Sequence, residues 1–403
     1  MQYELIEAMV NSLGDKYSYF VRPENADEYQ ENNEGQYVGI GTYLTKANPD
    51  YFDPDDPETY MVIITSPFPG GPADRAGLKA KDMISHVNGT DISDMTANEA
   101  SKLIRGKKNE PLTLTVHRGG AVFDITLMPE VVVTPTSEYQ IINNDIGYLR
   151  ILQFSETTFE SVYKDVNTLL NLGAKSFIID LRNNGGGIVD SALSIANMFI
   201  SQGTLLTTKY SPKSNNKDTA YTATNYLVVP EDVPVVVLTN GGTASASEIL
   251  TAALKENDRA TIIGSKTFGK GIMQHVVPYL DGYLNITAAH YYTPDGNDIH
   301  EVGIMPDIVV NEEEFSEEEI KAYADFLKSQ KIVEWRELHP DYSTENIKAF
   351  ADANIDSGVP YTLLCILMRN EYIYTMDYDK RPIADTVFDT QLKRAVEFIE
   401  TGK

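Results

Sequence analysis

The sequence predicts a layered α/β core, with a smaller mixed domain ahead of it and helical segments at both ends. Three observations carry this. The runs Ser176-Phe-Ile-Ile-Asp-Leu181 and Val233-Pro-Val-Val-Val-Leu-Thr239 are short and apolar, as strands covered on both faces must be. Each is followed by a glycine-bearing turn and then by apolar residues at helical spacing, the alternation that builds a layered α/β core. Between about residues 36 and 130 the pattern changes to short strands, one helix and a hairpin turned at Gly119-Gly120.

In chain order, residues 1–35 form an N-terminal helical segment. Leu5, Ile6, Met9, Val10 and Leu13 make an apolar stripe that stops at Gly14, Asp15-Lys-Tyr-Ser-Tyr-Phe20 follows, and a polar helix lies near 25–34. Residues 36–130 open with Gln36-Tyr-Val-Gly-Ile-Gly-Thr-Tyr-Leu44 and Met61-Val-Ile-Ile-Thr65. After Gly70–Leu78 come Asp82–Gly89, a helix over 96–105, and the hairpin strands 112–118 and 122–127. This order resembles a PDZ domain. The loop Val38-Gly39-Ile40-Gly41 is expected to turn backbone N–H groups onto a peptide carboxylate, with the next strand offering its edge to the peptide. Leu103 and Ile104, with Ala100, would line a pocket for an apolar side chain; plain core packing is the competing reading for each. Lys81-Asp82 replaces the usual Gly-Asp of the motif and is expected to alter a turn away from the binding edge. The acidic, proline-rich segment 47–59 lacks the glycine and spacing of a calcium loop and reads as a solvated loop.

Residues 131–311 hold the core: a strand at 146–151, a helix over 157–172, the strand 176–181, the turn Arg182-Asn-Asn-Gly-Gly-Gly-Ile188 and a helix over 191–199. The strand 233–239 then leads to Asn240-Gly-Gly-Thr-Ala-Ser-Ala-Ser-Glu248, followed by a helix, the strand 260–264, the loop 265–271 and a long strand 283–292. Residues 312–403 are acidic and helical, near 315–320, 344–354, 361–369 and 389–399, and pack on the core or form a dimer contact.

A serine at the strand-to-helix turn 240–248 sits at a helix N-terminus, where free N–H groups and the helix dipole favour a developing oxyanion. An ordinary N-cap serine is the competing reading. Lys270 suits a general base, because small and apolar neighbours lower the cost of keeping an amine neutral; a solvated loop lysine is the competing reading. Gly264, Gly269 and Lys270 also match the spacing of a phosphate-binding loop, but Gly271 stands where that motif needs Ser or Thr. A histidine base is disfavoured: His275 would face away from Gln274 on a strand, and His290 and His300 lack a fitting acid nearby in sequence.

The segments Thr243-Ala-Ser-Ala-Ser-Glu-Ile249, Gly264-Ser-Lys-Thr-Phe-Gly-Lys-Gly-Ile-Met-Gln274 and Asp180–Gly187 resemble the carboxyl-terminal processing (tail-specific) serine peptidase family. So does Thr293-Pro-Asp-Gly…Gly303-Ile-Met-Pro-Asp307. The resemblance implies a Clp-protease/crotonase-like core that needs no metal or other cofactor. It implies Ser245 as nucleophile, with Ser247 as the fallback, Lys270 as base and Gln274 orienting the lysine. Gly185 or Gly186, with Ala246, would form the oxyanion hole. In a straight strand Lys270 and Gln274 would lie about 13 Å apart at Cα, so their contact requires a bend, which Gly269 and Gly271 can supply. Glu256 replaces the family's Asp and reads as structural. Partners would be proteins or peptides with apolar C-termini, and a homodimer is allowed. The implied location is extracytoplasmic; Met1–Ile6 lacks the order of a signal peptide, so membrane association would come only through a segment upstream of it. The alternative is a catalytically silent peptide-binding scaffold or chaperone on the same fold.

Composition agrees. The chain has 403 residues, 42% of them apolar, which is ample for several cores. A net charge of −26 argues against nucleic acid or an anionic membrane as the main partner. The lone cysteine, Cys365, excludes an intrachain disulfide and a cysteine metal site.

Overall fold

In the computed structural model, which describes residues 2–47, 57–211, 215–376 and 380–403, the two apolar runs are strands buried at every position, Ser176–Asp180 and Val235–Thr239. They lie at the centre of a six-stranded sheet in the order Ser137–Ile142, Ile146–Ile151, Ser176–Asp180, Val235–Thr239, Thr261–Gly264 and Ile308–Val309. The first pair is antiparallel and the rest are parallel.

Strand alternation divides the side chains between two cores. Phe177, Ile179, Val235 and Val237 enter one cluster with residues of the helices Thr158–Asn171, Val189–Asn197 and Ala246–Glu256. Ile178, Val236 and Leu238 enter the other, against Leu392, Ala395 and Val396 of the terminal helix Thr390–Thr401. A sheet covered on both faces needs apolar residues at consecutive positions, which is why these strands read as continuous runs. The arrangement is the layered, Clp/crotonase-like core expected from the sequence.

A second sheet belongs to the same unit, which comprises Met1–Gly35, Pro135–Glu313 and Ile383–Lys403. Gly282–Tyr292 is its centre, pairing with Tyr19–Val21, Thr204–Tyr210 and Ile272–Tyr279; Thr204–Tyr210 also pairs with Thr219–Thr222. The strands 204–210 and 219–222, rich in threonine and only partly buried, have no apolar run to announce them. Pairing of Tyr19–Val21 with Tyr283–Asn285 brings the N-terminal segment into the core unit.

The other unit is Gln36–Thr134 with Glu314–Pro382. Its sheet runs Thr42–Thr45, Val62–Pro67, Met83–Val87, Leu112–Arg118, Ala121–Leu127, and the helix Ala97–Arg105 is closed at its start by a Thr96–Glu99 capping box. Ile64, Ile84, Ala100, Ile104 and Leu114 form its core. The helical region expected as one block over 312–403 is shared: 314–382 belong here and 383–403 to the first unit. Lys81, before Asp82, adopts the left-handed conformation, at φ +69°. Asp82 is buried and takes a two-pronged bond from Arg118, at 2.6 Å to each oxygen. Of the acidic segment 47–59, residues 48–56 lie outside the described residues.

Candidate active site

Ser245 closes the turn after Val235–Thr239 and is the residue before the first turn of helix Ala246–Glu256. Its backbone is strained, at φ +56° and ψ −117°, a region L-residues rarely occupy. The glycine turn lies directly against it. An added Cβ at Gly186, whose φ is +98°, would fall 2.6 Å from the Ala244 oxygen and 2.8 Å from both the Ala246 nitrogen and the Ser245 Cβ. Only glycine permits this approach. Gly186→Ala is therefore expected to lower kcat at least ~10²-fold while the circular dichroism stays native, since about 1–3 kcal/mol of backbone strain adds to displacement of Ser245, the candidate nucleophile.

The two loops are pinned together by buried amides. Asn240 accepts from the N–H groups of Asn183 and Gly242 and donates to Asn183 Oδ1 and Glu312 Oε1. Asn184 donates to the Ile151 carbonyl and accepts the Gly186 N–H at 2.9 Å. Gly186 thus serves by its lack of a side chain, its N–H being engaged by Asn184. Among the described residues, the N–H groups of Gly185 and Ala246 make no intramolecular hydrogen bond. Asp180 and Asp389 hold Arg182 from two sides, fixing the end of the strand from which the glycine turn departs. Ser247, the fallback nucleophile, is fully buried and donates to the Asn184 carbonyl at 2.9 Å; its hydroxyl is a core contact.

The residue that organises the site is one that the motif reading passed over. Glu248 is fully buried, and both of its oxygens are saturated. Oε2 accepts the Ser245 N–H at 2.9 Å and the Lys270 N–H at 2.8 Å; Oε1 accepts the Thr267 hydroxyl at 2.5 Å and the Gly269 N–H at 2.8 Å. One carboxylate therefore fastens the serine turn to the lysine loop. The Ser-x-x-Glu spacing of a capping box was the signal in the sequence. The same contacts dispose of the phosphate-loop reading, since the N–H groups of Gly269 and Lys270 are already committed to an anion supplied by the protein.

Lys270 is half-buried, and burial lowers its pKa below the ordinary lysine range; the Asp15 carboxylate opposes this. Its Nζ lies 3.5 Å from Gln274 Oε1 and 5.3 Å from the centre of the Tyr17 ring. The bend that brings Gln274 back comes from Gly269, at φ +92°, and from a bulge between Met273 and Gln274. Gln274 Nε2 donates to the Tyr17 carbonyl, which turns Oε1 toward the lysine. The loop around Tyr17 is held by Asp15, which accepts from the Tyr17 N–H and the Ser18 hydroxyl. Tyr17 too was not singled out from the sequence as a residue of the site.

Lys270 and Ser245 are tied through their backbones to Glu248, and among the described residues no hydrogen bond joins Lys270 Nζ to the Ser245 hydroxyl. Tyr291, 2% exposed, links the serine turn to the residue after Lys270: its N–H donates to the Gly271 carbonyl at 2.8 Å, and its hydroxyl interacts with that of Ser245. No histidine hydrogen bonds to Ser245 among the described residues. His275 is exposed, and His290 lies against His300 and Asp298. Glu256 accepts from the Asp295 N–H and Asn297, a structural tie to the turn over 293–297. No group of His, Cys, Asp and Glu among the described residues could hold a metal ion.

In the second unit, the expected peptide-binding residues separate. Val38 and Gly39 pair with Val131 and Glu130 in a two-stranded ribbon, and Ile40 and Ile104 are core residues, 2% and 1% exposed. For Ile104, as for Ala100, the core-packing reading holds. Gly41 is left-handed at φ +71°, Leu103 is exposed, and Thr42–Thr45 forms the open edge of the sheet.

Comparison with known proteins gives two family matches, peptidase family S41 over residues 145–310 and a PDZ domain over residues 63–118. The chain is 36% identical over 319 residues to a carboxy-terminal-processing protease of Bartonella bacilliformis, covering 77% of this chain and 70% of that protein. It is 36% identical over 307 residues to a CtpA-like serine protease of Staphylococcus aureus, covering 76% of this chain and 59% of that one. The crystal structure of a Bacteroides fragilis protein assigned to the S41 proteases shares the fold at a TM-score of 0.52 and 18% identity, over 98% of this chain and 90% of that one.

Proposed function

This chain belongs to peptidase family S41, with the carboxy-terminal-processing serine proteases, and we propose that it is an endopeptidase cutting proteins near their C-termini, with Ser245 as nucleophile and Lys270 as base. The observation that carries this reading is the single Glu248 oxygen that accepts both the Ser245 and the Lys270 N–H groups, so that the two candidate residues are held by one buried anion.

In the proposed reaction neutral Lys270 takes the Ser245 proton as Oγ attacks the scissile carbonyl carbon. The carbonyl oxygen becomes an oxyanion facing the unoccupied N–H groups of Gly185 and Ala246. Collapse breaks the C–N bond, and the Lys270 ammonium returns the proton to the leaving amine. Water, deprotonated by Lys270, then hydrolyses the acyl ester and restores Ser245. Gln274 keeps Lys270 oriented, since its own amide is anchored on Tyr17. The PDZ domain captures the substrate's apolar C-terminal tail along the open edge Thr42–Thr45, with Leu103 as the exposed apolar contact. The same reading puts its work outside the cytoplasm and leaves a homodimer open; no described helix is long and apolar enough to cross a membrane.

The test is cleavage of an unfolded protein bearing an apolar C-terminal tail. Wild type is expected to cleave it, and Ser245→Ala to bind it without turnover. Because Lys270 acts only when neutral, kcat/KM is expected to rise with pH along a limb set by the lowered lysine pKa, below the ordinary lysine value. Tail binding by a wild type that never cleaves would favour the scaffold reading.

A further inference from the structure

Lys81 occupies a backbone position that glycine fills without strain, at φ +69°. Its side chain has a specific use there. Nζ reaches both oxygens of Glu371, at 2.8 and 2.7 Å, across 290 positions of sequence. Glu371 lies on the helix Tyr361–Thr375 and is only 9% exposed. Arg336, from the helix Lys331–Leu338, donates Nε to the same carboxylate at 2.9 Å. A buried carboxylate is stable only when its charge is compensated, and here one cation comes from the sheet domain and one from the helices. Arg381 adds a second tie by donating to the Ser66 hydroxyl at 3.2 Å. Gly77, Lys79 and Arg118 line one cleft together with Tyr374, Thr375 and Met376.

We propose that Lys81, Glu371 and Arg336 form a clamp that fixes the PDZ domain to the helices of 314–382, so that the two segments respond to a bound peptide as one body. The clamp explains why a lysine stands at a glycine position. The response to peptide rests on the tail-binding reading above; the clamp itself does not.

Amide hydrogen exchange on the full chain separates the two. Lys81→Gly removes backbone strain, so a lysine that merely fills the turn would leave exchange in helix 361–375 unchanged or slower, and that result overturns the clamp. The clamp predicts exchange there faster by at least about tenfold in Lys81→Gly and in Glu371→Gln, with Lys81→Arg close to wild type. In the second arm, a synthetic peptide with an apolar C-terminus is added to wild type and to Lys81→Gly. One-body behaviour predicts altered exchange in helices 331–338 and 361–375 of wild type only. Changes confined to residues 36–134 of wild type overturn it. No change anywhere would refute tail binding and with it the one-body response, while the clamp stands or falls on the first arm.

Discussion

Glu248→Gln is expected to lower kcat by ~10²–10³-fold with little change in KM, and Glu248→Ala to destabilise the catalytic unit by about 3 kcal/mol or more. Each Glu248 oxygen accepts two donors, Ser245 and Lys270 on one, Thr267 and Gly269 on the other. An amide nitrogen accepts none. Whichever way a glutamine turns, two donors of the site face another donor, and either the serine turn or the lysine loop must shift. Alanine leaves all four without a partner in a fully buried position. Steady-state kinetics and thermal unfolding of both variants check this; a glutamine variant with wild-type kcat would show that the carboxylate only fills space.

Lys270→Met is expected to reduce kcat/KM by at least ~10⁴-fold while leaving stability equal to or above wild type. The loss follows from removing the proposed base. The stability follows from linkage: burial holds the folded-state pKa of Lys270 below its unfolded value, so the unfolded chain binds the proton more readily. The cost of carrying a half-buried ammonium is fully present below the folded pKa and fades as pH rises from there toward the ordinary lysine value. Methionine keeps the stem and removes that cost. Unfolding midpoints at neutral pH, measured beside activity, check both halves; an inactive variant that is also much less stable would make Lys270 a structural ion.

The parts of the fold legible in the sequence were those whose physics is local. Continuous apolar runs at 176–181 and 233–239 announced doubly covered strands, and helical spacing announced the helices at 158–171, 246–256 and 390–401. The strands 204–210 and 219–222 were not legible: both are rich in threonine, neither carries an apolar run, and 204–210 is held as much by the distant 289–292 as by 219–222. At the candidate site, Ser245, Lys270 and Gln274 were singled out through their motifs. Glu248 and Tyr17 were not: a carboxylate after a serine looks like a helix cap, and the contribution of Tyr17 is a backbone carbonyl, which no side-chain motif records. Gly185 and Gly186 could be told apart only once the Asn184 side chain was seen to take the N–H of one. Ala100 and Ile104 show the converse, apolar residues that fit a binding pocket equally well as a core and that burial assigns to the core.

The most direct measurement is covalent labelling with a fluorophosphonate, which esterifies an activated serine, followed by mass spectrometry of the digested protein. The account predicts one modified peptide, carrying the label on Ser245, absent in Ser245→Ala and strongly slowed in Lys270→Met. Label on Ser247 or on any other serine, or equal labelling of wild type and Lys270→Met, would contradict the proposed pairing of nucleophile and base.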